Sequence, residues 1–189
     1  MNRLQRVAVL TRLADRLRER GSWCGETHLQ KATYFLQELL NVPVEFEFIL
    51  YKHGPFSFDL RDELTAMYAD ELLKLKPHAP PYGPTIVTTA GGTVIQERFP
   101  KTLGQHQSSI DFVADKLGEK GVSALEGLAT ALYVSKTGRS DAPVAERVKK
   151  LNAVKPHISA EQARAFVEEV DRIVGEWRPG SGRRHGTSN

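Results

Sequence analysis

Residues 29–57 constrain the fold of this chain more than any other segment, because three local patterns follow one another there without a gap. Apolar side chains recur at helical spacing from Leu29 to Leu40. A strand pattern follows, in which apolar and other side chains alternate from Val44 to Leu50. Gly54 and Pro55 then end the strand, because proline lacks the N–H that a central strand needs. This order predicts a small helix-plus-strand recognition unit.

Helical patterns fill most of the remaining chain. In the first helix one apolar stripe is formed by Val7, Leu10, Leu13 and Leu17, and Gly21 is expected to end it. Ser57 is placed to cap the helix that follows the Gly-Pro turn. Capping boxes are predicted at three further helix starts, formed by Thr27 with Gln30, Ser123 with Glu126, and Ser159 with Gln162.

The segment Ala90–Phe99 permits two structures. Either the two glycines at 91–92 turn a β-hairpin after a short strand at 85–88, or Thr88 or Thr89 caps a short helix. The apolar residues of the segment also recur at helical spacing, and for that reason we favour the helix.

The length and composition of the chain are sufficient to bury one hydrophobic core. The chain has 189 residues, of which 40% are hydrophobic, and its net charge is +3. The apolar runs are broken well before the roughly 18 residues that a membrane helix needs, so no membrane contact is expected. The N-terminal 20 residues lack the apolar region and cleavage site of a signal peptide, which predicts a cytoplasmic protein. Residues 178–189 are polar and rich in glycine and arginine, and we expect them to form a disordered basic tail.

No constellation of catalytic or metal-binding residues stands out. No two of the six histidines lie three or four positions apart, and the only cysteine is Cys24, so neither a helical zinc motif nor an internal disulfide is predicted. Cys24 precedes His28 by four residues, but Gly25 and the expected Thr27 cap break the helical register between them, which favours a structural or merely exposed cysteine. The Ala90–Thr93 segment lacks the Lys-Ser/Thr of a phosphate-binding loop. We therefore expect no catalytic residue, no metal and no cofactor, and a protein that is not an enzyme.

Two groups of residues are candidates for binding. Around the Gly-Pro turn, Tyr51, Lys52, His53 and Ser57 would form a recognition patch at a helix N-terminus, where free N–H groups favour an anion or a partner carboxylate. The alternative is that the turn only redirects the chain. On the first helix, Arg12, Arg16 and Arg20 form a charged stripe that could contact nucleic acid phosphates, or could simply be a solvated helix face.

The chain resembles the YwgA-like proteins and, more distantly, the antitoxin SocA-like or Panacea domain group, over about residues 5–175. The resemblance rests on Leu29-Gln30-Lys31 with Tyr34-Phe35-Leu36, on the run from Phe48 to Pro55 with Ser57, and on the helical motifs at 125–133 and 148–156. Such proteins are prokaryotic, and members of the SocA-like group are associated with toxin neutralisation through protein contact.

The resemblance implies an α+β, mainly α fold. One globular domain would span residues 1–177, with a winged-helix-like half at 1–100, made of helices with a small β element, packed on a helical bundle at 101–177. The implied function is a non-enzymatic protein-interaction module, antitoxin-like or a regulatory partner of another protein. A winged-helix DNA-binding regulator is the alternative, although the helix after Ser57 carries more acidic than basic residues and would repel phosphates. A protein is the expected partner, and the sequence leaves the oligomeric state open.

Overall fold

The computed structural model describes residues 1–79, 83–137 and 142–177. Within these ranges the chain is mainly helical with two short antiparallel strand pairs, which confirms the expected mainly α, α+β class. In chain order the elements are α1 (Arg3–Glu19), α2 (Glu26–Glu38), β1 (Ile49–Tyr51), β2 (Gly54–Phe56), α3 (Phe58–Ala69), β3 (Leu73–Lys76), β4 (Thr85–Thr88), α4 (Ala90–Arg98), α5 (Pro100–Leu117), α6 (Val122–Thr137), α7 (Val144–Val154) and α8 (Ala160–Glu176).

Helix α1 lies in the middle of the core. Its predicted apolar stripe is buried, and so are Val9 and Thr11 on other faces of the helix. The reason is that α1 packs against α4 and β4 as well as α5. Asn2 and Gln5 form a capping box at its start, and Gly21 follows its end with a φ of +84°, a left-handed conformation that favours glycine.

Helix α2 begins two residues earlier than the sequence suggested. Its N-cap is Gly25, so Thr27 lies inside the first turn and the predicted capping box with Gln30 is wrong. The side chain of Gln30 is instead buried against Ser57. The Gln30 amide group therefore makes a tertiary contact instead of the predicted capping box.

The segment after α2 alternates as predicted, with Val42, Val44 and Phe46 buried and their neighbours exposed. Strand pairing, however, is limited to its end, where β1 pairs with β2 in the register Ile49 opposite Phe56 and Tyr51 opposite Gly54. Earlier in the segment the side chain of α2 residue Gln37 takes the place of a partner strand. It binds both the N–H and the C=O of Phe46, at 2.8 and 2.9 Å.

Helix α3 leads into the second strand pair. Ser57 caps α3, as predicted, by accepting a hydrogen bond from the Leu60 N–H at 3.1 Å. β3 and β4 pair in antiparallel register from Leu73 opposite Thr88 to Lys76 opposite Thr85. The strand at 85–88 was predicted and β3 was not. Thr89 then caps α4, so the favoured helical structure for 90–99 is confirmed.

Helices α5 to α8 form the second half, which is helical as predicted. The Ser159–Gln162 capping box is present at the start of α8. The box expected from Ser123 is wrong, since α6 begins at Val122 and includes Ser123. No helix in the described ranges is long and apolar enough to cross a membrane. The predicted basic tail at 178–189 lies outside the described residues.

Candidate interaction site on the β1–β2 hairpin

The outer face of the β1–β2 hairpin carries a cluster of aromatic side chains. The ring centroids of Tyr51, Phe56 and Phe58 lie 5.1 to 6.0 Å from one another, within the range of favourable ring contacts. Tyr51 is 47% exposed and Phe58 is 38% exposed. Ile49, 41% exposed, lies opposite Phe56 in the sheet register and therefore on the same face. We call Ile49, Tyr51, Lys52, His53, Phe56 and Phe58 the hairpin patch.

The inner face of the hairpin packs tightly on α6. Gly54 has a φ of +88°, and a Cβ atom there would lie 2.5 Å from the Oγ1 atom of Thr130. Glycine is therefore required twice, once for the backbone conformation and once for the close approach. Pro55 is buried beside it. The missing N–H of Pro55 breaks no ladder bond, because the pairs on either side of it supply the hydrogen bonds between the strands.

A buried lysine holds the hairpin to α2. Lys31 is 2% exposed, and its Nζ atom donates a hydrogen bond to the Pro55 carbonyl oxygen at 2.7 Å. Burial lowers the pKa of Lys31 to about 8, Glu126 raises it in part, and Lys155 lowers it further. The ammonium group is thus kept in the interior by one strong backbone acceptor and a nearby carboxylate.

Glu126 of α6 connects the hairpin turn to the helical half. Its Oε1 atom lies 3.2 Å from the Nδ1 atom of His53, and its Oε2 atom lies 3.7 Å from the Nζ atom of buried Lys155. The carboxylate therefore lies beside the His53 ring and the Lys155 ammonium group, and its charge also acts on buried Lys31. Glu126 thus links the hairpin turn to α6 and to Lys155.

A side-chain clamp fixes the end of the hairpin. The Gln30 side chain donates to the Ser57 carbonyl oxygen at 2.9 Å and accepts from the Ser57 N–H at 3.0 Å. Gln30 and Gln37 lie seven residues apart on α2, and each binds both backbone groups of one residue in the extended chain. The spacing of two helical turns, which puts them on one face, is the sequence signal that could have identified the pair.

The predicted turn residues separate into two layers. Tyr51, Lys52 and His53 are exposed and belong to the hairpin patch. Ser57 is fully buried beneath it, where it caps α3 and is clamped by Gln30. The residues that sequence reasoning missed are Phe56 and Phe58, which add aromatic surface, and Lys31 and Glu126, which support the turn from below.

The arginines of the first helix differ in how they are used. Arg16 binds Asp111 of α5 at 2.6 Å and also pairs with Glu19. Arg20 pairs with Asp115. Arg12 has no hydrogen-bond or ion-pair partner in the described part of the chain and lines a groove between α4 and α5. Two of the three positive charges are therefore already neutralised by carboxylates of the protein itself.

Cys24 and His28 do not form a reactive pair, and the described residues form no metal-binding cluster. Burial raises the pKa of the Cys24 thiol to about 12 and lowers the pKa of His28, so neither group is in the charged form that a thiolate–imidazole pair needs. No three His, Cys, Asp or Glu side chains gather in these ranges as a metal site would require. A groove of about 400 Å³ opens beside the start of α2, with Trp23, Tyr68 and Leu75 in its walls.

Comparison of the chain with models of known protein families and with curated proteins finds no match in either case. Function is therefore inferred from the geometry of the site.

Proposed function

We propose that this protein is a non-enzymatic protein-interaction module that binds another protein through the hairpin patch, as an antitoxin-like or regulatory partner. The observation that carries the proposal is an exposed aromatic cluster on a rigidly supported hairpin. Three aromatic rings and Ile49 share one face, while Lys31, Gln30 and Glu126 hold that hairpin from below. Aromatic side chains contribute most at protein interfaces, and a pre-ordered surface loses little entropy on binding.

The charged groups around the patch support a protein partner. Lys52 and His53 lie at one end, Asp59 and Asp62 lie on the exposed side of α3, and the Arg61 guanidinium lies 5.0 Å from the Phe58 ring centroid. An apolar centre with a mixed-charge rim is typical of transient protein interfaces. The proposal includes a cytoplasmic location, which a single free cysteine supports.

The resemblance to YwgA-like and SocA-like proteins makes a toxin the first partner to test. The experiment is co-expression of the protein with the product of each neighbouring gene, scored by growth and by co-purification. Tyr51→Ala combined with Phe58→Ala should abolish both the rescue and the complex. The matched control, Val94→Ala with Val174→Ala, removes exposed apolar side chains from α4 and α8 and should leave both readouts unchanged.

A second outcome of the same experiment rejects the proposal. If no neighbouring product and no protein of the host binds the wild type, or if the patch variant and the control bind equally, the hairpin patch is not a partner surface. Circular dichroism of each variant shows whether a lost interaction reflects unfolding.

A winged-helix DNA-binding regulator is the second candidate, favoured by one feature. The β3–β4 hairpin directly follows α3, which is the order of a recognition helix and its wing, and Lys74 and Lys76 of β3 are exposed. The exposed face of α3 is acidic, however, and would repel phosphates. A mobility-shift assay at two salt concentrations tests the idea, and the absence of a shift at low salt eliminates it.

A further inference from the structure

The outer edge of β1 has backbone groups without partners. In the β1–β2 register, Ile49 and Tyr51 face residues that can exchange hydrogen bonds with them, while Leu50 faces Pro55, which has no N–H. The N–H and C=O of Leu50 therefore point away from β2. Phe48 lies two residues earlier in the extended chain and points its own N–H and C=O to the same edge, where no described residue binds them.

This free edge is also short and open. Gln37 satisfies the backbone of Phe46, so the unpaired stretch starts after it. Helices α2 and α6 pack against β2, and within the described ranges no helix packs extensively against β1 itself. Just before β1, the Phe48 ring packs on Tyr34 of α2, at 5.0 Å between ring centroids. Unpaired edge strands are templates for a further strand.

Charge is distributed unevenly along the edge. Glu47 is exposed just before the free stretch, and Lys52 is exposed just after it. Neither side chain has an ion-pair partner in the part of the chain that the structure describes. A strand that is negative at its start and positive at its end is complementary to an antiparallel copy of itself, because each negative end then lies beside a positive end.

We propose that β1 pairs with β1 of a second copy of this chain, in antiparallel orientation around a two-fold axis. Phe48 of one copy lies opposite Leu50 of the other. The two copies together have four free N–H groups and four free C=O groups, which form four hydrogen bonds. Ile49 lies at the axis and packs on Ile49 of the second copy. Glu47 of each copy lies within reach of Lys52 of the other copy.

This pairing covers part of the hairpin patch. Ile49 packs on Ile49 of the second copy in the dimer, whereas a monomer presents it to a partner. If the proposed function holds, self-association therefore competes with partner binding, and this regulatory step rests on that function. The dimer itself does not depend on it, and its test uses the protein alone.

Sedimentation velocity measures the self-association of the full chain. So short an edge buries less area than a standard interface, and we expect a reversible dimer with a Kd on the order of 100 μM that weakens as salt is added. Hydrogen exchange gives the position of the contact. Raising the protein concentration should slow exchange at the Phe48 and Leu50 amides and leave Ile49, which already bonds to β2, unchanged.

Charge reversal tests the antiparallel arrangement. Glu47→Lys alone and Lys52→Glu alone each place like charges together and should weaken the dimer by about tenfold. An equimolar mixture of the two variants should associate at least as well as the wild type, because both charge pairs are then attractive. Glu97→Lys, at an exposed position on α4, is the matched control and should behave as the wild type does.

The results separate this inference from the proposed function. A monomer at all concentrations up to about 1 mM, where even weak interfaces associate, overturns the inference. So does a dimer that the single variants do not weaken, or that their mixture does not restore. None of these results bears on whether the hairpin patch binds a partner protein. A failure to bind a partner, in turn, does not bear on the dimer.

Discussion

Gly54 illustrates how a single residue decides whether the hairpin can dock. Its left-handed backbone and its contact with Thr130 both exclude a Cβ atom. Gly54→Ala should therefore lower the free energy of unfolding by about 2–4 kcal/mol, combining backbone strain with overpacking. Urea denaturation measures the change.

The matched substitution is Gly104→Ala. Gly104 lies inside α5 with open space where the Cβ would be. Alanine favours the helix there and should raise the free energy of unfolding by about 0.5–1 kcal/mol. Equal effects at the two positions would contradict the assignment of a special role to Gly54.

Lys31 makes stability depend on pH in an unusual direction. Burial lowers its folded-state pKa from 10.5 to about 8, so above pH 8 the unfolded chain holds the proton more firmly than the folded chain. Deprotonation then favours folding, and stability rises with pH in the window between the two pKa values. From about pH 8 to about pH 9 this gain amounts to about 1 kcal/mol.

The measurement compares the wild type with Lys31→Met across that window. The difference in unfolding free energy between the two proteins should grow by about 1 kcal/mol from about pH 8 to about pH 9. Groups that titrate alike in both proteins do not contribute to this difference. Lys52→Met, which removes an exposed ammonium group, is the control and should track the wild type. An identical pH dependence in the wild type and Lys31→Met would contradict a lowered pKa of buried Lys31.

At the scale of elements, α2 acts as the support on which the extended chain is held. Its two glutamines bind the backbone of Ser57 and of Phe46. Gln30→Ala leaves the buried Ser57 N–H without a partner, while the Ser57 carbonyl oxygen keeps its bond from the Arg61 N–H. The substitution should lower the free energy of unfolding by about 1–3 kcal/mol. Gln37→Ala should cost about 1 kcal/mol, because water can reach the part-buried site.

Gln105→Ala is the control for both substitutions. Gln105 is exposed on α5, and its replacement should change the free energy of unfolding by less than about 0.5 kcal/mol. If Gln30→Ala cost no more than this control, the clamp on Ser57 would contribute nothing to stability. Chemical denaturation of the three variants side by side gives the comparison.

Sequence patterns predict best those elements whose stabilising residues lie close together in sequence. The stripe of α1, the Ser57 and Thr89 caps and the Ser159–Gln162 box are all present. The failures occur where a tertiary contact takes the side chain. Gln30 and Glu126 could each complete a local capping box, yet Gln30 binds Ser57 and Glu126 faces His53 and Lys155.

Strand β3 escaped prediction for a different reason. Only Leu73 of its four residues is buried, so its pattern carries little signal of pairing with β4. The candidate site was predicted in part, since the turn residues are local in sequence. Phe58 and Lys31 come from the two flanking helices, and only folding brings them to the hairpin.

At the scale of the whole molecule, the two halves of the chain share one core. Helix α1 of the first half packs against α5 of the second, and α2 packs against α6. The hairpin adds a further link, through Gly54 on Thr130 and His53 beside Glu126. Separating residues 1–100 from 101–177 would expose buried faces of α1 and α2, so neither half is expected to unfold while the other stays folded.

Two tryptophans allow this expectation to be measured. Trp23 lies between α1 and α2, and Trp177 lies at the end of α8, 5.0 Å from the Phe112 ring. Trp177→Phe leaves a probe of the first half and Trp23→Phe leaves a probe of the second. Within each variant, the fluorescence transition in urea should coincide with the loss of helical circular dichroism, because one cooperative unit has one midpoint. If fluorescence and circular dichroism gave separate midpoints in either variant, the halves would be independent domains, and the hairpin would be only a contact between them.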